Sequence, residues 1–536
     1  MPRQASTGSH YGLLIVFLFY FWLLIYPALS FLWRHSYPFF SVEVGLIFLL
    51  IAICSILLAI IIRNVRPVIA NALSLLLITV ILMLQFNLLL PGLIVLALIG
   101  PAAIFLLKGR FQLYSLAIII FMIAGAFFDS FEDDGNLRST AKHTSAKPGL
   151  PPVVHILMDS FIGIDGLPPH AESDLLRDEI YTFFDQYDFH TFPRAYSRYL
   201  STGNSVYKAF NYQNDGKNKF GLEVLGRRKH ILKPNAQFDV MQELGYRFNI
   251  YQTEFLDFCQ SNVDHVDRCW QYSQPNVDSI SHAPDMRQRL EMLAVVLLNQ
   301  STILSNLVTS IGLFMDGGMD RGIAHHDPRV FANLERDLLS DPGGKYFFAH
   351  ILLPHGPFAF QDDCSINYES SRLVRFAALQ GEPLQNKEIY ETRTKMYFEQ
   401  VSCALKSMHQ IFEKMKAAGI YEQSIIVIHG DHGSRIGKYY PHYGNIGVLT
   451  HSEYRANFST LFAVKFPGIK GHHDQRALPL STLLEEFSVM VQKYNTGQEI
   501  TKFMQSLPET AERVDSYVYV EGVHPMQRIN INLFEE

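Results

Sequence analysis

Before residue 129 the chain is almost continuously apolar, and this constrains its fold more than anything else. Five apolar stretches stand out: Tyr11 to Trp33, Val44 to Ile62, Val68 to Leu90, Gly92 to Leu107 and Phe111 to Phe128. A spanning helix needs about 17–25 apolar residues, so four qualify by length. The fourth is short and carries Pro101, which a membrane helix tolerates as a kink. The first ten residues lack the small-residue cleavage pattern of a signal peptide, so the first stretch is expected to remain as an anchor. Charge orders the spans. With the N-terminus inside, Arg3, Arg63, Arg66, Lys108 and Arg110 fall on the cytoplasmic side and Arg34 falls opposite, as the positive-inside rule requires. An odd number of spans then carries everything after residue 130 outward. The expectation is a multi-pass protein of the cytoplasmic (inner) membrane, with its large domain on the extracytoplasmic, periplasmic face.

A length of 536 residues with a net charge of -6 gives no footing for nucleic acid as a partner. Cys54 lies inside the second apolar stretch, whereas Cys259, Cys269, Cys364 and Cys403 all fall in the exported part. An even number in an oxidising compartment reads as two disulfides. Cys259 with Cys269 and Cys364 with Cys403 is the simplest of three connectivities; a zinc site from the same four is the alternative, without any C-x-x-C spacing to support it. Residues 129–150 are polar, charged and contain Gly and Pro, which reads as a linker. The organisation expected is a transmembrane domain over 1–128, a linker over 129–150 and an extracytoplasmic domain over 151–536.

In that last part, short apolar runs alternate with helical stretches. "VVHILM" at 153–158, "YRFNIYQ" at 246–252, "KYFFAHILL" at 345–353, "QSIIVIHG" at 423–430 and "FSTLFAVKFPG" at 458–468 read as strands. The amphipathic stretch 391–418 feeds the run at 423–430, and Gly245 ends a short helix ahead of 246. Apolar strands alternating with helices predict an α/β fold with a mostly parallel sheet covered on both faces. Ligands in such folds bind at the carboxyl ends of the strands, so the residues that follow each run matter most. Asp159 and Ser160 follow "VVHILM", His355 follows "HILLP", and Asp431 and His432 follow "IIVIHG". Asp alone often caps a helix. Three strand ends bearing a carboxylate or an imidazole form the donor set of zinc, manganese or a related divalent ion.

"HILMDS", "STGNSVYKAFN", "LLPHGPF" and "IHGDHGSR" occur in the order and spacing of the sulfatase-like branch of the alkaline phosphatase superfamily. The resemblance covers about residues 151 to 470. It looks nearest to membrane-anchored phosphoethanolamine transferases and lipoteichoic acid synthases, which carry five spans and an exported domain. By that resemblance Thr202, with Ser205 three positions later, is the nucleophile at the start of a helix. Asp159, Thr202, Asp431 and His432 are the implied metal ligands, although those transferases use Glu where Asp159 stands. His355 matches a phosphate or second-metal contact. A further family histidine is matched best by His442, with His451 as the reserve. Arg435 is either a phosphate clamp or a solvated loop charge, and "HHDP" at 325–328 could donate further ligands but reads rather as an exposed loop. Formylglycine sulfatases need a C/S-x-P-x-R motif. This chain has "STGNSV" in its place, with neither the Pro nor the Arg.

The mechanism implied is metal activation of the Thr202 hydroxyl, attack on phosphorus, and a phospho-threonine that a second acceptor resolves. His355 and His442 would hold phosphate oxygens or protonate the leaving group. The function expected is transfer of a phosphorus-containing head group from a membrane lipid donor to an envelope glycan or lipid. Two alternatives are a phosphodiesterase or phosphatase on the same site and a non-catalytic member of an envelope-assembly machine. The sequence sets neither the metal nor the oligomeric state.

Overall fold

The computed structural model describes residues 8–34, 37–66, a few positions between 69 and 77, 137–138, 149–215, 222–225, 229–261, 265–272, 277–299, 326–366, 387–434, 436–437, 449–507, 514–520, 523–531 and 533–534. The fourth and fifth apolar stretches, most of the third, Arg435 and His442 lie outside the described residues. By packing, the chain divides into two units. One comprises Met1–Gly135 with Val277–Arg321, the other Asn136–Asn276 with Gly322–Glu536.

The described residues of the first unit are mostly helical. α1 (Gly8–Arg34) and α2 (Val42–Arg63) each contain a stretch long and apolar enough to cross a membrane, Leu13–Trp33 and Val42–Arg63. They pack as a hairpin through Phe19, Tyr20, Leu23 and Ile62. Leu49, Leu50, Ile53, Ile56, Leu57, Ile60 and Ile61 of α2 are left exposed, a surface suited to hydrocarbon and costly in water. These two helices are a membrane-anchoring feature.

The second unit opens with β1 (Leu137–Arg138), inside the stretch read as a linker, and β2 (Val153–Met158). Next come α3 (Ser173–Gln186), β3 (His190–Thr191), α4 (Thr202–Phe210), β4 (Leu222–Leu225), β5 (Lys229–Leu232) and α5 (Ala236–Glu243). β6 (Arg247–Thr253), β7 (Leu256–Asp257) and β8 (Val266–Tyr272) follow. The chain then contributes α6 (Asp278–Ser281) and α7 (Met286–Asn299) to the first unit. It resumes with α8 (Arg329–Ser340), β9 (Lys345–Ile351), α9 (Lys387–Ala417) and β10 (Ile425–Gly430). α10 (His451–Phe458), β11 (Phe462–Lys465), α11 (Leu480–Asn495), α12 (Ile500–Gln505), β12 (Val514–Val520) and β13 (Val523–Ile531) complete it.

Eight strands form the main sheet, in the order β1-β8-β6-β9-β2-β10-β11-β3. The central pairs β8–β6, β6–β9, β9–β2 and β2–β10 are parallel, and β1, β11 and β3 join antiparallel. Successive residues of a strand face opposite sides of its sheet, and β2 shows the result. Val154, Ile156 and Met158 enter the core beneath α3, α8 and α9, while Val153 and Leu157 enter the core beneath α4, α5 and α11. Both faces are covered, so β2 reads as an unbroken apolar run. The disulfides Cys259–Cys269 and Cys364–Cys403 both form, with Cα separations of 6.1 and 4.9 Å.

Candidate metal centre

Register brings the strand ends together. In the parallel ladder Met158 of β2 sits opposite both Ile351 of β9 and Gly430 of β10. Asp159 and Asp431 therefore leave neighbouring strands at one level, and the Asp159 N–H donates to Ile351 O at 2.9 Å. Two glycines keep the Asp-His turn compact. A Cβ on Gly430 would lie 2.4 Å from Phe161 O, and one on Gly433 would lie 2.4 Å from Ala456 O; neither position has room for a side chain.

Each carboxylate is anchored by one oxygen and presents the other. Asp431 Oδ1 accepts from the N–H groups of Ser160 (2.8 Å) and His432 (2.9 Å). Asp431 Oδ2 is buried with no hydrogen-bond donor among the described residues, 3.3 Å from His432 Nε2. Asp159 Oδ1 accepts from Ser160 Oγ at 2.9 Å, and Asp159 Oδ2 faces Thr202 Oγ1 at 3.3 Å. Ser160 serves both acids from a left-handed backbone, φ 64°, a strained position of the kind that gathers at functional sites. His432 Nδ1 donates to Gly433 O at 2.7 Å, which leaves the Nε2 lone pair facing the centre. That hydrogen bond on the far ring nitrogen is the usual device for presenting an imidazole to a metal.

Thr202 opens α4, one residue past the N-cap Ser201. The Ser201 side chain makes no capping bond, and the Thr202 hydroxyl points away from its own helix. Its Oγ1 lies 3.3 Å from Asp159 Oδ2 and 3.3 Å from His432 Nε2. Ser205, one turn on, donates to the Asp431 carbonyl and shares a 2.8 Å bond with Ser197 Oγ. The helix is thus bolted to the backbone of a ligand.

Ligand atoms of Asp159, Asp431 and His432 all lie within 4.8 Å of one another, and all three residues are buried. Burial raises a carboxyl's pKa, yet the imidazoles of His355, His350 and His432 outweigh it at Asp159 and hold that acid well below the usual range. Asp431 moves the other way, raised by burial and then by Asp159. Two acids forced apart like this share too small a space for two negative charges. A divalent cation would remove the conflict, and the unbonded Asp431 oxygen gives it a place. The residues fit a metal.

Of the remaining expected residues, His355 influences Asp159 electrostatically from a turn held by Gln400 of α9. Gln400 Nε2 donates to His355 O, and its Oε1 accepts from the Ala359 and Phe360 N–H groups. His451 is exposed at the first residue of α10 and lies outside the ligand group. His326, within the segment read as an exposed loop, is buried against Phe331 and Phe360, and Asp327 is buried with Arg329 across it; exposure was the wrong expectation there, because the loop closes over the α8 core.

One residue at the centre was missed. His350 is fully buried near the end of β9, with Nε2 3.5 Å from Asp159 Oδ2. It lies inside the apolar run "FFAHILL", where a histidine reads as core. The same holds for His155 and His429, which bond to each other through Nε2 at 2.6 Å.

A family model for sulfatases matches residues 151–473, more than half of the chain. The chain belongs to the sulfatase family. The matched stretch holds most of the α/β domain described above. No curated protein matches the sequence. Solved structures similar to this sulfatase-family chain include the putative sulfatase yidJ from Bacteroides fragilis. It is 12% identical, with 70% of this chain and 83% of that one covered and a TM-score of 0.40. A phosphonate monoester hydrolase from Silicibacter pomeroyi is 14% identical over 69% and 79%, with a TM-score of 0.39. A protein of the alkaline phosphatase superfamily from Vibrio parahaemolyticus is 12% identical over 72% and 75%, with a TM-score of 0.36.

Proposed function

We propose that the protein is a membrane-anchored, metal-dependent transferase that moves a phosphorus-containing head group from a lipid donor to an envelope glycan or lipid. The observation that carries this reading is the Thr202 hydroxyl, buried within 3.3 Å of two members of the ligand group. Asp159, Asp431, His432 and Thr202 would hold a divalent ion, zinc or manganese by donor type. Bound there, the ion supplies Lewis-acid stabilisation of charge on the phosphoryl group.

The chain's own residues do the rest. The Thr202 proton has its acceptor in the Asp159 carboxylate, whose Oδ2 lies 3.3 Å from Thr202 Oγ1. Thr202 Oγ1 forms a bond to phosphorus as the bond from phosphorus to the donor's alcohol oxygen breaks, and that oxygen leaves with a proton that His355 would supply. The acceptor hydroxyl then attacks phosphorus and gives its proton to His355, while the bond from phosphorus to Thr202 Oγ1 breaks and that oxygen recovers its proton from Asp159. The start of α4 suits the phosphorylated state, since a helix N-terminus favours anions. Sulfate-ester hydrolysis through formylglycine has no support, because a threonine stands where that residue is needed.

The periplasmic placement also belongs to this reading. Arg289 of α7 lies 3.3 Å from Glu43 at the start of α2. This pairing of a residue reached only after the catalytic sheet has begun with the start of α2 supports putting the two on one side of the bilayer. In this reading an even number of crossings separates them, as α2 plus three further spans would give. The positive-inside rule makes that side the outer one.

Hydrolysis, with water as the second acceptor, is the competing reading, and Asp159 in place of the transferases' glutamate favours it. Incubating the purified protein with labelled phospholipid separates the two. Diacylglycerol together with a modified acceptor supports transfer, diacylglycerol with free phosphorylated head group supports hydrolysis, and no diacylglycerol rejects the lipid donor. Intact-mass measurement should find an added phosphorus-containing group on Thr202 that is absent in Thr202→Ala.

A further inference from the structure

Glu43 stands in the first turn of α2. A carboxylate at a helix N-terminus is favourable, but this one is only 2% exposed, and a buried charge persists only when it is paired. Both of its oxygens have partners. Tyr37 OH donates to Oε1 at 2.7 Å from the α1–α2 connection, and Arg289 Nε faces Oε2 at 3.3 Å. Arg289 is steadied in turn by a 3.2 Å bond from its NH1 to Ala283 O. Leu293 and Val296, on the following turns of α7, are buried as well.

The origin of these partners is the unusual point. Tyr37 is local. Arg289 belongs to a segment that leaves the catalytic fold after β8, packs with the membrane hairpin, and rejoins the fold ahead of α8. A covalent tether to the hairpin already exists through residues 64–136. A second, non-covalent attachment joins the chain to the hairpin at a further point of the sequence, and a specifying role is the best-attested use of a buried polar pair.

We infer that residues 277–299 are a strap from the catalytic domain to the membrane hairpin, locked by the Arg289–Glu43 pair with Tyr37 as its brace. Arg289 is a positioning residue for reactions on a substrate seated in the bilayer. It has no part in the bond-making chemistry, so its removal acts on lipid turnover and spares soluble substrates. The inference rests on the lipid-donor reading for its functional half and on geometry alone for its structural half.

The test uses the full chain reconstituted in vesicles of phosphatidylethanolamine and phosphatidylglycerol with labelled head groups. In parallel, bis(4-nitrophenyl) phosphate serves as a soluble phosphodiester. Arg289→Gln should lower diacylglycerol release about tenfold or more and leave the soluble rate within about twofold. The charge swap Glu43→Arg with Arg289→Glu should recover part of the loss. Equal falls on both substrates, no fall on either, or no recovery by the swap would overturn the positioning role.

A second measurement is independent of activity. Glu43→Cys with Arg289→Cys, in a Cys54→Ala background, should be joined by a short bis-maleimide in intact membranes, seen as a linked peptide pair by mass spectrometry. If the pair does not link, the strap itself is rejected. If the unmodified protein cleaves the soluble diester and no vesicle lipid, the lipid-donor reading fails, and the cross-link alone decides the strap.

Discussion

The polar groups at the carboxyl ends of β2 and β10 and the polar chain inside those same strands are equally buried, but they are bonded differently. In the inner chain every partner is accounted for. His429 Nδ1 donates to Gly430 O at 2.7 Å, so His429 Nε2 must accept from His155 Nε2 at 2.6 Å, and His155 Nδ1 must accept from Tyr346 OH. One choice of tautomers satisfies all three rings without any charge, and burial holds both imidazoles well below their usual pKa. At the strand ends no such closure exists. Asp431 Oδ2 lacks a donor, and Asp159 and Asp431 are driven in opposite directions. A finished hydrogen-bond chain holds a fold together, whereas an unfinished one awaits a ligand.

Four experiments can break or sharpen that contrast. The largest effect is expected for Thr202→Ala, which should lower turnover by on the order of 10⁴-fold or more while leaving metal content intact; loss of both would make Thr202 a ligand before all else. Asp431→Asn comes next. It should weaken metal retention by at least roughly a hundredfold, the upper end of what outer-shell changes alone achieve, as read by elemental analysis after dialysis. Undiminished metal would place the ion elsewhere.

The third prediction concerns acid. His326 is lowered to about 4 by burial, partly opposed by Asp327, and His155 shifts in the same direction. The folded state refuses protons that the unfolded chain accepts near pH 6.5. Stability should therefore be fully present above about pH 6.5 and fall as pH drops towards about 4. The loss should be a few kcal/mol for His326, measurable by denaturant unfolding of metal-free protein across that range. A stability flat over the window would mean that these rings are charged in the fold. The smallest effect is expected for His155→Leu. It strips His429 Nε2 of its donor and should cost about 2 kcal/mol of stability, with metal content and Thr202 labelling unchanged. Loss of metal in this variant would merge the two regions into one.

Much of the site could be read because of where it sits. A residue directly after an apolar run is conspicuous, which is how Asp159, His355, Asp431 and His432 were found, and Thr202 came from the resemblance of its surrounding motif. Burial and alternation along β2 and β10 follow from composition alone. Position inside a run conceals chemistry in the same measure. His350, His155 and His429 each occupy one place in an otherwise apolar strand, and nothing local separates a ligand-facing ring from a core ring. A signal did exist: three of the predicted strands each contain an internal histidine, an unusual frequency for buried parallel strands. The departure of residues 277–299 from the catalytic fold was hidden for another reason. α7 has the apolar spacing of any core-facing helix, and periodicity records that a face is covered without naming what covers it.

The bond from Ser205 to the Asp431 carbonyl has a mechanical consequence. Three participants at the centre arrive on the sheet and move with it, but the threonine arrives on a helix that packs against one face. Were α4 free to slide, the distance from oxygen to phosphorus would drift with every breathing motion of the layers. A single hydroxyl ties that helix to the sheet at the level of the reacting atoms, so the attacking group inherits the stiffness of the best-buried strands.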